Sequence, residues 1–238
     1  MLETVKIIVD DSPMNMLVAT PDGGGMHPGV LLSHYKHGLA SFTQRNANFL
    51  ASQGFVVVAP DHFHHTPGEP DVEVRKKGMF DVRLINDMQA ATAYLRAHPR
   101  VIADATAIMG HCMGGRQTLL GAATVPGFRC GIDCYGGGVM TALGEGPTVF
   151  ERLSNIKCPI AGFFGIHDRN PPPEDVRKVE AELKRLGIET DFHIYENTGH
   201  AFMDPDQTRY VEASAKDAWT RILAFLRKHT VSPAMAVS

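Results

Sequence analysis

One stretch decides the fold: residues 105–116, with the sequence ATAIMGHCMGGR. Residues 105–109 form a short apolar run that is typical of a buried strand, and the residues after the glycines favour a helix. Between the two lies a Gly-x-nucleophile-x-Gly pattern with Cys112 at its centre. Gly110 and Gly114 flank the cysteine because so tight a turn leaves no room for Cβ atoms there. The stretch therefore predicts a strand–turn–helix elbow that lifts Cys112 above a sheet.

The predicted helix also bears on the chemistry of Cys112. Its N-terminus points toward the thiol, and the positive end of a helix dipole favours a thiolate, which lowers the thiol pKa below about 8.5. A glycine-rich turn around an inert buried cysteine is the plain alternative. A phosphate-binding loop is disfavoured, because neither G-x-x-x-x-G-K-[ST] nor G-x-G-x-x-G occurs in the chain.

The remainder of the chain repeats the strand–helix alternation. Two initial strands followed by strand–helix units predict an α/β fold of three layers, with a mostly parallel sheet and helices on both faces. No repeat or linker divides residues 1–238, which are interpreted as a single domain. The predicted strands are 5–9, 14–19, 29–33, 54–60, 105–109, 130–135, 159–166 and 191–195, and the predicted helices are 41–54, 80–95, 116–123, 176–186 and 211–226.

Two further residues complete a catalytic constellation in chain order. Asp168 follows the apolar run that ends in FFGIHD, and His200 lies in ENTGHAF after the last predicted strand. An elbow nucleophile needs an acid and then a histidine further along the chain. The pattern predicts that His200 acts as base toward Cys112 and that Asp168 orients it. Taken singly, Asp168 is equally well a turn residue and His200 a loop histidine.

Backbone donors should stabilise the oxyanion of an acyl-transfer reaction. The first expected donor is the N–H of Met113, at the start of the elbow helix. The second should come from the turn after strand 29–33, around Tyr35 or Lys36.

Composition excludes several classes of protein. The 238 residues carry a net charge of −3, which disfavours nucleic-acid binding, and 44% hydrophobic residues provide a core. No apolar run reaches the roughly 20 residues of a membrane span, and the N-terminus has no secretion-signal pattern. Four cysteines are too few for a disulfide framework, so we expect a reduced, cytoplasmic location. Cys130, Cys134 and Cys158 are expected to be buried small hydrophobic residues.

These motifs together resemble the dienelactone hydrolase family, whose founding activity is carboxymethylenebutenolidase. The resemblance runs from about Gly29 to Leu226, through APD at 59–61, GHCMGG at 110–115, GIHD at 165–168 and GHAF at 199–202. It implies an α/β-hydrolase fold without a cofactor that opens a small ester or lactone through a thioester acyl-enzyme. It also implies Cys112 as nucleophile, Asp168 as acid and His200 as base. The oligomeric state, monomer or dimer, stays open.

The chain departs from that family at two positions. Founding members carry a glutamate after the strand that corresponds to 29–33, and residues 33–38 here, SHYKHG, contain no carboxylate. They also carry an arginine four residues after the histidine, where this chain has Asp204, which would repel an anionic substrate. We therefore expect Cys112 to rest as a thiolate beside protonated His200. The candidate substrate-binding residues are His34, Lys36, Arg75 and Arg83, for each of which an ordinary solvated or structural side chain is the alternative.

Two other functions remain to be weighed. Eight histidines are expected near one end of the sheet, and neutral imidazoles suit zinc, so a metal-dependent hydrolase is one alternative. No H-E-x-x-H spacing supports it, and the sequence predicts no metal and no cofactor. A non-catalytic binding protein with the same fold is the other alternative. These histidines are His34, His37, His62, His64, His65, His111, His167 and His200.

Overall fold

The computed structural model describes residues 1–231 and contains one eight-stranded sheet. The strand order is β1-β2-β4-β3-β5-β6-β7-β8; the β1–β2 and β2–β4 pairs are antiparallel and the other pairs are parallel. This is the mostly parallel, three-layer sheet that the sequence predicts. The strands are β1 Leu2–Val9, β2 Ser12–Ala19, β3 His27–Ser33, β4 Val56–Pro60, β5 Val101–His111, β6 Gly131–Cys134, β7 Ile160–Gly165 and β8 Thr190–Tyr195.

Helices cover both faces of this sheet. Helices α1 and α7 pack on one face, whereas α3, α4 and α6 pack on the other. Alternate residues along the central strands point to opposite faces, so that Val30 and Leu32 of β3 join one core and Leu31 the other. The helices are α1 Ser41–Ser52, α2 Val72–Lys77, α3 Asp81–Ala97, α4 Met113–Thr124, α5 Val149–Arg152, α6 Pro173–Arg185 and α7 Glu212–Thr230.

The first two strands form a tight hairpin. Asp10 and Asp11 connect β1 to β2 with φ values of 49° and 59°. Positive φ at both central residues is the signature of a type I′ turn, whose twist matches the twist of the strands it joins. The predicted strands 5–9 and 14–19 leave residues 10–13 for the turn. The observed turn is shorter, because β2 begins at Ser12.

Three elements differ from the sequence prediction for identifiable reasons. Strand β5 begins at Val101 and not at Ala105. Ala103 and Asp104 are exposed, so this part of the strand shows no apolar run in the sequence. Helix α2 lies between the predicted strand 54–60 and the predicted helix 80–95, where the sequence predicts no regular element. It buries no residue and is held by Asp71, whose carboxylate accepts from the Glu73 N–H at 2.8 Å. Helix α5, a single turn, was also missed.

Parallel strands end at a common edge, and that edge receives the candidate functional residues. The carboxyl ends of β3, β5, β7 and β8 lead directly into the segments that carry Tyr35, Cys112, Asp168 and His200. Within residues 1–231, no helix combines the length and the apolar character that crossing a membrane requires. The interpretation of residues 1–238 as a single domain stays a prediction, and residues 232–238 lie outside the described part of the chain.

Helix α3 offers a test of the packing. Met88 is fully buried in the core, while Val82 on the same helix is 64% exposed. Met88→Ala should lower the free energy of unfolding by about 2–5 kcal/mol, because it removes buried methylene groups and leaves a cavity. Urea unfolding followed by circular dichroism measures the change. Val82→Ala is the matched control, with an expected change within about 0.5 kcal/mol, and equal effects of the two substitutions would contradict the placement of α3.

Candidate active site

Cys112 occupies a strained turn between β5 and α4. Its φ of 56° and ψ of −119° are unusual for a residue with a side chain. A Cβ atom on Gly110 would collide with the carbonyl oxygen of Gly114, and one on Gly114 would collide with the carbonyl oxygen of Ser33. Both glycines are therefore required by backbone contacts, and the turn is the elbow that the sequence predicts.

The structure brings Cys112, His200 and Asp168 together. His200 Nε2 lies 3.0 Å from Cys112 Sγ, and His200 Nδ1 lies 2.8 Å from Asp168 Oδ2. Because Asp168 can only accept as a carboxylate, Nδ1 carries a proton that it donates to this oxygen. The other carboxylate oxygen of Asp168 accepts from the Asn170 N–H at 2.9 Å, which fixes the acid in turn. The three side chains thus form one hydrogen-bonded relay.

The pKa values of the relay favour the charged pair. Burial opposes charge on both partners, raising the pKa of Cys112 and lowering that of His200. The mutual interaction outweighs burial: the hydrogen bond from His200 lowers the pKa of Cys112 below its usual value. The hydrogen bonds with Asp168 and Cys112 raise the pKa of His200 to about 9. A thiolate beside an imidazolium is the resting state that this geometry favours.

Two more groups favour the thiolate. The backbone N–H of Met113, at the first turn of α4, hydrogen-bonds to Cys112 and lowers its pKa. The positive charge of Lys36 acts in the same direction. Residues 33–38, which contain no carboxylate, therefore contribute a cation that stabilises the thiolate.

Cys112 opens into a cavity of about 200 Å³. Besides Cys112, four lining residues are aromatic or apolar, and five carry amide, charged or imidazole groups. A larger groove of about 540 Å³ lies between α1 and α7, but it holds none of the three relay residues, so the chemistry places the site in the smaller cavity. The cavity is lined by Tyr35, Lys36, Phe42, Cys112, Tyr135, His200, Ala201, Asp204, Gln207 and Arg209.

The elbow packs directly against the turn that follows β3. A Cβ atom at Gly114 would meet the backbone carbonyls of Ser33 and His34. The next residue of this turn, Tyr35, lines the cavity. This is the arrangement in which the N–H groups of Met113 and Tyr35 could face one oxyanion. The donor roles of both residues stay predictions.

Of the four predicted substrate-binding side chains, only Lys36 lines the cavity. His34 is fully buried. Its Nδ1 donates to the Tyr35 carbonyl at 2.7 Å, and its Nε2 accepts from the His62 N–H at 3.0 Å. His34 therefore holds the turn, and its side chain does not line the cavity. Its burial lowers its pKa to about 3 and keeps it neutral.

Neither of the two predicted arginines lines the cavity. The guanidinium of Arg75 lies over the ring of Phe63 at 4.6 Å, and that of Arg83 lies over the ring of Phe80 at 5.0 Å. Arg83 also donates to the Gly78 carbonyl at 3.1 Å. Their guanidinium groups pack against aromatic rings and neither lines the cavity, so their role in binding substrate stays a prediction.

Sequence reasoning did not single out five residues of the cavity wall, among them Tyr135 and Arg209. Tyr135 follows β6 at the same sheet edge, and its ring meets the His200 ring edge-on at 5.3 Å. Its hydroxyl is buried and has no hydrogen-bond partner among the described residues. The position at the end of a parallel strand was a usable signal for Tyr135. Arg209, on the loop before α7, carried no such signal.

Asp204 differs from its expected behaviour. It lines the cavity, but its carboxylate is almost buried and lies 3.3 Å from Arg45 Nη2. It also accepts from the Asp206 N–H at 3.1 Å. Its charge is therefore partly offset, and the repulsion of anions expected from the sequence is reduced.

The loop histidines do not form a single group. His34, His62, His64 and His65 lie together near α3, whereas His111 is buried against Phe42. His37 packs against Tyr35, and His167 is exposed. Only His200 lines the Cys112 cavity.

The fold and the relay define an α/β-hydrolase, and comparison with known proteins gives the family. The model of the dienelactone hydrolase family matches residues 14–230. A probable 2-oxo-3-(5-oxofuran-2-ylidene)propanoate lactonase from Bradyrhizobium sp. is 28% identical over 89% of this chain and 88% of its own length. A protein provisionally named carboxymethylenebutenolidase from Methylorubrum extorquens is 25% identical over 96% of this chain and 81% of its own.

A solved structure agrees with the fold. The crystal structure of a protein provisionally named dienelactone hydrolase from Klebsiella pneumoniae superposes with a TM-score of 0.86 at 24% identity. The match covers 96% of this chain and 98% of the other. The chain belongs to the dienelactone hydrolase family, whose members are hydrolases of carboxylic esters and lactones.

The charged relay predicts unusual alkylation kinetics. Cys112 is half-buried while the other three cysteines are buried, so iodoacetamide should modify Cys112 alone. Since the pKa of Cys112 is lowered and the pKa of His200 is raised to about 9, the thiolate should persist below the free-thiol pKa of about 8.5. The rate of alkylation against pH, followed by intact mass, should show appreciable reactivity in that range.

The control for this experiment is His200→Asn. Without the imidazolium, the rise in rate should move toward the free-thiol value of about 8.5. A wild-type profile with a single rise at that value, or identical profiles for the two proteins, would refute the charged pair.

Proposed function

We propose that this protein hydrolyses a carboxylic ester or lactone through a thioester on Cys112. The single observation that carries the proposal is the relay of Cys112, His200 and Asp168 at the mouth of a cavity, with distances of 3.0 and 2.8 Å. Nucleophile, base and orienting acid in hydrogen-bond contact are the arrangement that covalent acyl transfer requires.

The first half-reaction forms the acyl-enzyme. The Cys112 thiolate attacks the carbonyl carbon, and the negative charge passes to the carbonyl oxygen, which accepts from the N–H groups of Met113 and Tyr35. The tetrahedral intermediate collapses as the carbon–oxygen bond of the leaving group breaks. The His200 imidazolium donates its Nε2 proton to the departing alkoxide or enolate, and a thioester remains.

The second half-reaction releases the acid. His200, now neutral, takes a proton from a water molecule that attacks the thioester carbonyl. The second intermediate expels the Cys112 thiolate, which recovers its place beside the imidazolium. Asp168 holds the ring in one tautomer throughout, through the hydrogen bond to Nδ1. Amides are poor substrates for this route, because the amine is a worse leaving group than the thiolate.

The charges of the cavity favour an acidic substrate. Apart from the Cys112–His200 pair, Lys36 and Arg209 contribute two positive charges to its wall, and the negative charge of Asp204 is paired with Arg45. We include in the proposal that a carboxylate on the ester or lactone lies near Lys36 and Arg209. We also include a cytoplasmic location, since the mechanism needs a free thiol and the four cysteines are unpaired.

Substitution of the nucleophile tests the proposal. Cys112→Ala should lower kcat/KM for p-nitrophenyl acetate by at least about 10³-fold, because no covalent route remains. Cys112→Ser should retain a fraction of the activity, since a hydroxyl can replace the thiol only when His200 removes its proton. Release of p-nitrophenol measures both, and a panel of lactones ranks the substrates.

Cys158→Ala is the matched control, because Cys158 is buried on the far side of the molecule from the relay, near the end of α4. It should keep its turnover. Full activity of Cys112→Ala would overturn the proposal in favour of another nucleophile. A wild-type protein that hydrolyses no ester or lactone of the panel would favour a binding protein instead.

A further inference from the structure

A second cluster of titratable side chains lies under the loop after β4. Asp87, on α3, is fully buried and receives two histidines of that loop. Its Oδ2 lies 3.0 Å from His62 Nδ1, and its Oδ1 lies 2.9 Å from His64 Nε2. The ring of His65 lies 3.9 Å from that of His64, centroid to centroid. Two imidazoles thus bind one buried carboxylate, and a third, half-buried imidazole packs beside them.

The hydrogen bonds inside this cluster leave nitrogen atoms unused. His62 Nε2, His64 Nδ1 and His65 Nε2 are all buried and have no hydrogen-bond partner among the described residues. A buried polar atom without a partner costs about 1–3 kcal/mol. Three such atoms on residues 62–65 are difficult to explain as ordinary core packing, and those of His64 and His65 point to a ligand that imidazole binds.

The cluster is separate from the proposed active site. None of Asp87, His62, His64 and His65 lines the Cys112 cavity. The connection between the two is indirect: the His62 N–H donates to His34, which in turn holds the turn at Tyr35. The cluster therefore lies behind the cavity wall and has no part in the relay.

We propose that His64, His65 and Asp87 bind a divalent metal ion of the zinc type. One ligand atom from each of the three residues lies within 4.8 Å of the others. Two imidazole nitrogens and one carboxylate oxygen are a common zinc donor set, with ligand distances of about 2.0–2.2 Å, so the three groups close in around the ion. His62 keeps its hydrogen bond to the other oxygen of Asp87, as the outer partner that orients a ligating carboxylate.

The expected role of the ion is structural. It would join the loop after β4 to helix α3, which the sequence connects only through the exposed helix α2. Binding to the folded state alone stabilises that state in proportion to the logarithm of the free metal concentration. The loop, and through His62 the turn that carries Tyr35, would be fixed by it.

Zinc titration of a nucleophile-free protein tests the site. The Cys112→Ala background removes the thiolate that could itself bind zinc beside His200. Chelator-treated Cys112→Ala should bind one Zn²⁺ per chain by isothermal titration calorimetry, and its Tm should rise with added ZnCl₂. Adding His65→Gln should weaken the affinity by more than about 100-fold, because loss of a ligand costs more than loss of an outer partner. It should also abolish the rise in Tm.

His98→Gln in the same background is the matched control, since His98 is partly exposed at the other end of α3. It should bind zinc like Cys112→Ala. If the His65→Gln protein does not fold, X-ray absorption of zinc-loaded Cys112→Ala replaces it, and the expected ligands are nitrogen and oxygen with two imidazoles. No binding by Cys112→Ala, equal binding after His65→Gln, or a spectrum without imidazole would each overturn the proposal.

Discussion

The close backbone approach at the elbow is the constraint from which the site follows. Gly110, Gly114 and the carbonyl of Ser33 meet so tightly that no side chain fits between them, and Cys112 takes a positive φ as a result. That conformation costs about 1–3 kcal/mol of conformational free energy. It persists because the packing of β5, α4 and the turn after β3 holds the backbone there. The strain places the sulfur at the edge of the sheet, at the first turn of α4.

Once the sulfur is fixed there, electrostatics decides its state. Burial alone would keep both Cys112 and His200 neutral, but each stabilises the charge of the other at 3.0 Å. Asp168, Met113 and Lys36 act in the same direction from three different elements. The proposed reaction would then start from the thiolate that this environment favours, although residues 33–38 contain no carboxylate.

The sequence predicts the sheet, its order of elements and the relay, because each depends on a local pattern. Apolar runs indicate the strands, and Cys112, Asp168 and His200 each follow such a run.

Side chains whose role depends on packing were predicted less well. His34 is drawn into the interior by two hydrogen bonds, and Arg75 and Arg83 lie on aromatic rings, so their charge and position in a loop gave no indication of their contacts. Helix α2 buries nothing and therefore has no periodic pattern, and the ion pair of Asp204 with Arg45 joins residues that are far apart in the chain.

Acid quenching during turnover tests the covalent role of Cys112 most directly. The protein is mixed with p-nitrophenyl acetate, quenched within the first turnovers, digested and mapped by mass spectrometry. The account predicts one acetyl group, held as a thioester on the peptide that contains Cys112. Turnover without any acetyl group on Cys112, or with the group on another residue, would contradict it.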